Sequence, residues 1–162
     1  MTAVGVMPAT PAAAQGYAGG VTRTLAFTID AAAINLAAFA VAGIALLMDS
    51  ILHLPSELDP VAAAIGAVSY VAWTVAYFAS FWAGTGQTPG ARVMGIRVES
   101  AATGGHLRPR VAVRRFLGMV LAFLPLGLGF LPVLTDERKR GLHDRLAGTV
   151  VRYAPRPQRS PG

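Results

Sequence analysis

The sequence predicts an all-α integral membrane protein. It has two transmembrane helices, a third apolar segment broken by Pro and Gly (re-entrant or a short span), and a small cytoplasmic two-stranded β element. Three observations carry this reading. The 162 residues are 54% hydrophobic and only 14% charged, with mean hydropathy +0.52, whereas an ordinary soluble domain is nearer a quarter charged. Two apolar runs are long enough to cross a bilayer. The 14 basic residues, 13 of them arginine, fall very unevenly between the segments flanking those runs.

Residues 1–20 are rich in Ala, Pro and Gly and hold no charged side chain. That composition predicts a disordered N-terminus rather than a signal peptide. Thr24 to Met48 is an apolar run of 25 residues whose one charge is Asp30. Val61 to Ala83 adds 23 residues without a charge. At about 1.5 Å per residue each exceeds the ~30 Å hydrocarbon core. The loop between them is acidic and holds no Lys or Arg. Asp59 is expected as N-cap of the second helix and Pro60 in its first turn.

One basic residue, Arg23, precedes the first helix, none lies in the 49–60 loop, six lie in 84–115 and seven in 135–162. Basic loops favour the cytoplasmic side, which places the N-terminus and residues 84–115 inside. The third apolar run, Phe116 to Leu134, contains Pro125, Gly127, Gly129 and Pro132. As a full span it would put the basic tail outside. As a re-entrant hairpin it keeps both flanks inside, because Pro and Gly break the helix in its middle. Helices are therefore expected at about 24–48, 61–83 and 111–134. Residues 92–100 and 148–153 are β-branched and roughly alternating, so they read as strands that pair on one side of the membrane. Residues 154–162 form a disordered basic tail.

These residues resemble the RDD family of small bacterial membrane proteins, named for one arginine and two aspartates. "YAGGVTRTLAFTID" carries Arg23 and Asp30 at the family's spacing, "GQTPGARVMGIRVES" is similar to its loop after the second helix, and "ERKRGLHDRLAGTVV" to its C-terminal motif. The resemblance covers roughly 17–152 and implies that Asp144 is the second aspartate. Thr24 departs from the pattern, since a second basic residue is common there. The resemblance implies a transport-associated component or accessory subunit of the bacterial cytoplasmic membrane. The alternative is a structural adaptor that docks partner membrane proteins.

Arg23 and Asp30 share a helix face but lie about 10 Å apart along the axis, so Arg23 is expected to snorkel toward headgroups. An ionised carboxylate in a membrane helix costs at least ~2.5 kcal/mol unless it faces protein or water. Its expected partners are Arg114 and Arg115, which open the third segment at the same depth. That pair would be an interhelical clamp; the competing role for Asp30 is to handle a proton or cation. Asn35 extends the polar track or glues helices. Ala72, Ala76, Ser80 and Gly84 form a small-residue face on the second helix. Tyr70, Trp73 and Tyr77 form an aromatic stripe that reads as packing, and Phe81 and Trp82 read as an interfacial belt.

His143 beside Asp144 fits no metal-ligand spacing, and no G-x-S-x-G nucleophile is present. The chain lacks cysteine. No enzyme, metal or cofactor is therefore expected. "GTGQTPG" (84–90) does not match G-x-G-x-x-G and reads as a turn. The net charge of +6 is read as attraction to anionic lipid headgroups at the cytoplasmic face rather than to nucleic acid. Further partners expected are a second copy of the chain or another membrane protein.

Overall fold

A computed structural model describes residues 16–53 and 55–154. Two long helices dominate it. α1 (Gly20–Leu52) has 33 residues and α2 (Asp59–Gly84) has 26, so they run about 50 Å and 39 Å. They are antiparallel: Phe27 stacks on Phe78, Asp30 meets Tyr77 and Asn35 meets Tyr70. α1 buries only Ala26, Asp30 and Ile34, and α2 only Phe78 and Trp82. Large apolar side chains elsewhere stand open, such as Leu36 at 73% and Val68 at 70% exposed. A core helix of a soluble protein does the reverse. Both helices are long and apolar enough to cross a membrane.

The core lies at one end of this pair. There α3 (Pro89–Val93) leads into strand β1 (Ile96–Ser100), followed by α4 (Pro109–Phe123). The chain then passes a 3-10 turn (Leu128–Phe130), α5 (Pro132–Thr135), α6 (Leu142–Ala147) and β2 (Thr149–Tyr153). The strands pair antiparallel, with Arg97 opposite Arg152 and Val98 opposite Val151. Ile96, Val98 and Val151 share one face and are buried, so that face lies on the core, and Val150 is buried on the other.

The apolar 116–134 run is broken where Pro and Gly fall. α4 has 15 residues, about 22 Å. Leu126 and Gly127 then take left-handed φ of 52° and 81°, and the chain doubles back. Gly129 lies so close to α4 that a Cβ there would sit 2.6 Å from Cβ of Ala122. The Pro/Gly break expected within 111–134 is thus a bend after α4, and the return of the chain brings β2 alongside β1.

Several boundaries differ from expectation. Residues 16–20 are ordered, not disordered. Tyr17 forms a β-bridge with Arg152, the Ala18 N–H donates to the Val151 carbonyl at 3.0 Å, and helix begins at Gly20. This stretch extends the sheet edge, which its composition does not reveal. Residues 1–15 and 155–162 lie outside the described residues. Asp59 is the first residue of α2 rather than its cap, because a 3-10 turn at Ser56–Leu58 runs into the helix and Leu58 takes the cap position. Residues 92–95 end α3 and turn at Gly95 (φ 63°) before the strand begins.

The register makes a direct prediction. Cysteines replacing Arg97 and Arg152 should form a disulfide on mild oxidation, because opposed residues put their Cβ atoms on one face within bridging distance. Cysteines replacing Arg97 and Val151 should not, since a one-residue shift reverses the face. Equal yields on gel mobility would refute this pairing.

A candidate polar site at one end of the helix pair

Asp30 lies on the buried stripe of α1, 2% exposed. Its Oδ1 accepts from the Tyr77 hydroxyl at 2.9 Å and the Gly90 N–H at 2.7 Å; its Oδ2 accepts from the Thr88 hydroxyl at 2.5 Å. The Thr-Pro-Gly sequence explains why those donors are there. Thr88 caps α3, its hydroxyl accepting from the Ala91 N–H at 3.1 Å, and Pro89 needs no acceptor at the first helical position. Gly90 allows α3 to press on α1: a Cβ there would lie 2.1 Å from the Ala26 carbonyl oxygen. Asp30 therefore holds the N-terminus of α3 against α1 through neutral donors.

The expected pairing of Asp30 with Arg114 or Arg115 is not formed. Arg114 lies on the exposed side of α4 and donates to the Ala147 carbonyl at 3.0 Å. Arg115 donates to Oδ1 of Asp144 and, at 2.5 Å, to the Thr149 hydroxyl. Arg115 is drawn to the fully buried carboxylate, while α3 already fills the donor positions around Asp30. Arg23 does not snorkel away either. Its Nη1 donates to Oδ2 of Asp144 at 2.5 Å and its Nε to the Ala18 carbonyl at 3.1 Å, leaving the side chain 13% exposed.

Asp144 is 0% exposed. It sits in the first turn of α6, where it also accepts from the N-cap Gly141 N–H at 3.1 Å and from the Thr149 hydroxyl at 3.2 Å. Burial pushes its carboxyl up, but Arg115 and Arg23 outweigh that and hold it well below the usual carboxylate range. His143 has Nε2 3.5 Å from Oδ2 of Asp144. Burial, reinforced by Arg115, lowers its pKa to about 3, so the ring is neutral at pH 7. The Arg115 guanidinium lies 5.0 Å above the Trp82 ring, so Trp82 is a buried platform and not the interfacial belt residue expected. Nearby, Asp136 is held below the usual range first by Arg140, with Arg145 adding to it, which closes the turn into α6.

Beside these groups runs a cavity of about 640 Å³, lined on its polar side by Arg23, Asp30, Thr88, Arg115 and His143. Asn35 lies one turn beyond Asp30, accepting from Tyr70 at 3.3 Å and donating to the Ala31 carbonyl at 2.8 Å. The small-residue face Ala72, Ala76, Ser80 and Gly84 remains exposed.

The sequence profile of the RDD family matches residues 17–148. The chain belongs to the RDD family. An uncharacterized protein of Rickettsia prowazekii (strain Madrid E), RP437, is 33% identical over 75 residues, which are 46% of this chain and 41% of that protein. The chain thus aligns with less than half the length of that curated relative. No solved structure matches it. Family membership and the two apolar helices together mark a membrane protein.

In this RDD chain the arginine and the second aspartate are direct partners, 121 residues apart in sequence, and the first aspartate has a separate site. Five residues of the RDD site do not read as such in the sequence: Tyr77 reads as packing, Trp82 as an interfacial belt residue, and Thr88, Gly90 and Thr149 as parts of a turn or strand. One signal was available, since Thr before Pro-Gly is a helix start as well as a turn.

Two predictions follow from these contacts. Asp30→Asn should cost about 1 kcal/mol, because an amide still accepts from Gly90 and Tyr77. Asp30→Ala should cost about 2–4 kcal/mol by orphaning the Gly90 N–H. Combining Asp30→Asn with Arg114→Gln should be additive in detergent thermal melts, and strong coupling would contradict the geometry. The second concerns pH. His143 has a folded pKa near 3 against an ordinary 6.5, so the unfolded chain binds the extra proton between those values. Stability is fully present above about 6.5 and falls as pH drops toward 3. Lowering pH from 7.5 to 5 should reduce the Tm by roughly 5 °C. His143→Gln should flatten that dependence, and an unchanged pH profile in the variant would refute it.

Proposed function

We propose that this RDD-family chain is a small transport-associated component, an accessory subunit or repeating unit of a larger assembly in the bacterial cytoplasmic membrane, with Asp30 handling a proton or cation. The observation that carries the reading is the environment of Asp30. It is a carboxylate inside a membrane-length helix, at a cavity wall, held by hydroxyls and an N–H instead of an arginine. A clamp would have paired it with a cation; a site for exchangeable charge keeps the fixed cation elsewhere. Two spans do not enclose a pathway, so the reading calls for further copies or a partner membrane protein. The exposed small-residue face of α2 allows close helix approach.

Both flanks of the bent segment lie on the cytoplasmic side in this proposal, as does the N-terminus. The β1–β2 pairing supports it by joining the two most basic regions, and Arg23 sits beside them. No enzymatic activity and no cofactor are proposed. The structural adaptor remains the second reading, favoured by the full hydrogen bonding of both Asp30 and Asp144.

Vesicles loaded with a pH-sensitive dye test the primary reading. Wild-type chain should couple an imposed sodium or potassium gradient to proton movement, and Asp30→Asn should fold yet lose most of that rate. Equal rates in the two, or no flux from wild type even with its co-purifying membrane proteins, would leave the adaptor. Orientation is tested separately on this cysteine-free chain. A cysteine at Ser50 should react with an impermeant external reagent and one at Thr103 should not. The opposite pattern would invert the topology.

A further inference from the structure

The cavity beside the polar site has two kinds of lining. Arg23, Arg115 and His143 supply the cationic and polar part. Arg115 is only 4% exposed, yet among the described residues its Nε has no hydrogen-bond partner, and neither does Nη2 of Arg23. A guanidinium can only donate and stays charged, and a buried charged donor left unpaired is costly. Asp144 does not meet this need. Its oxygens already take one Nη1 from each arginine, the Thr149 hydroxyl and the Gly141 N–H. Asp30 lies about 10 Å farther along α1 and holds three donors of its own. With His143 neutral, Arg23, Arg115 and Asp144 sum to one positive charge.

The rest of the lining is largely apolar. It includes Phe123 together with Val21, Leu25, Leu131 and Leu134, which are also exposed at the surface by 76%, 49%, 54% and 78%. A molecule with an acidic head and a hydrocarbon chain matches both kinds of lining at once.

We propose that this cavity binds one anionic phospholipid. The phosphodiester accepts from Arg23 and Arg115, and the first part of an acyl chain lies along Phe123, Leu131 and Leu134. Charge-assisted bonds to a phosphate suit guanidinium groups that line a cavity, and basic pockets between membrane helices are suited to acidic headgroups. A zwitterionic lipid would bring its ammonium up to the same two guanidinium groups, so the site discriminates by headgroup charge. The proposal stands apart from the transport reading, and a flux result does not decide it.

Trp82 lines the cavity under Arg115 and serves as the reporter. The full chain carrying Trp73→Phe, which leaves Trp82 as its remaining tryptophan, is reconstituted in phosphatidylcholine vesicles. Phosphatidylglycerol with brominated chains is titrated in, with identically brominated phosphatidylcholine as reference. Quenching by the anionic lipid should be several-fold stronger at a few mole per cent and should saturate. Thr24→Phe adds bulk to the cavity lining without removing a guanidinium and should abolish the preference. Arg23→Gln should do the same wherever circular dichroism shows it folded. Millimolar inorganic phosphate should leave the preference intact. Equal quenching by the two lipids, a preference that survives Thr24→Phe, or displacement by inorganic phosphate would each overturn the proposal.

Discussion

A carboxylate out of reach of water must be matched where it lies, and most of the architecture at the closed end of this molecule follows from how Asp144 is matched. Arg23 reaches it from α1, Arg115 from α4 and Thr149 from β2, while its own helix supplies the Gly141 N–H. Arg115 in turn rests on Trp82 of α2. One side chain therefore fixes the relative positions of five elements. Breaking such a buried pair from one side is costly, about 3–5 kcal/mol, because the partner charge is stranded. Here two partners would be stranded together. That is a stronger constraint than the packing of α1 on α2, whose buried residues are few and small in number beside their lipid-length surfaces.

Asp30 meets the same physical demand differently. Among the described residues no cation pairs with it; a short helix is brought end-on instead, and the free N–H of its first turn does what a guanidinium would do. The arrangement requires Gly at position 90, a residue whose side chain cannot intrude between the helices. The two aspartates thus divide the labour: one binds the fixed positive charges, and the other is left with neutral donors at a cavity wall. It is this division that keeps a proton or cation role open for Asp30 and removes it from Asp144.

The parts of this fold governed by runs and periods were legible in the sequence. Two long apolar helices, the break at Pro125 and Gly127, and the two strands all come from local composition, whereas the antiparallel register comes from the structure. So did Arg23, Asp30 and Asp144 as polar features, through the spacing of the family resemblance. The pairing among them was not legible. Arg23 and Asp30 share a helix face, which invites a local pairing, yet their partners lie on elements far along the chain. Depth alone pointed Arg115 at Asp30, but depth does not say which of two carboxylates is more deeply enclosed. Thr88 and Gly90 were hidden for another reason. A cap residue and a close-approach glycine look the same in sequence as an ordinary turn until the neighbouring helix is known.

The separation of Arg23 from Asp144 by 121 residues has a consequence for how the molecule is made. α1 and α2 with their short loop are complete as a helical hairpin once about half the chain has left the ribosome, and such a hairpin can enter the bilayer at once. At that moment Arg23 has no carboxylate and Asp30 lacks both Thr88 and Gly90. The hairpin must wait, with two unmet polar groups near one membrane surface, until α3 docks and α6 arrives. The contact between α1 and Asp144 can therefore close only after α6, the last of the described helices, has been made.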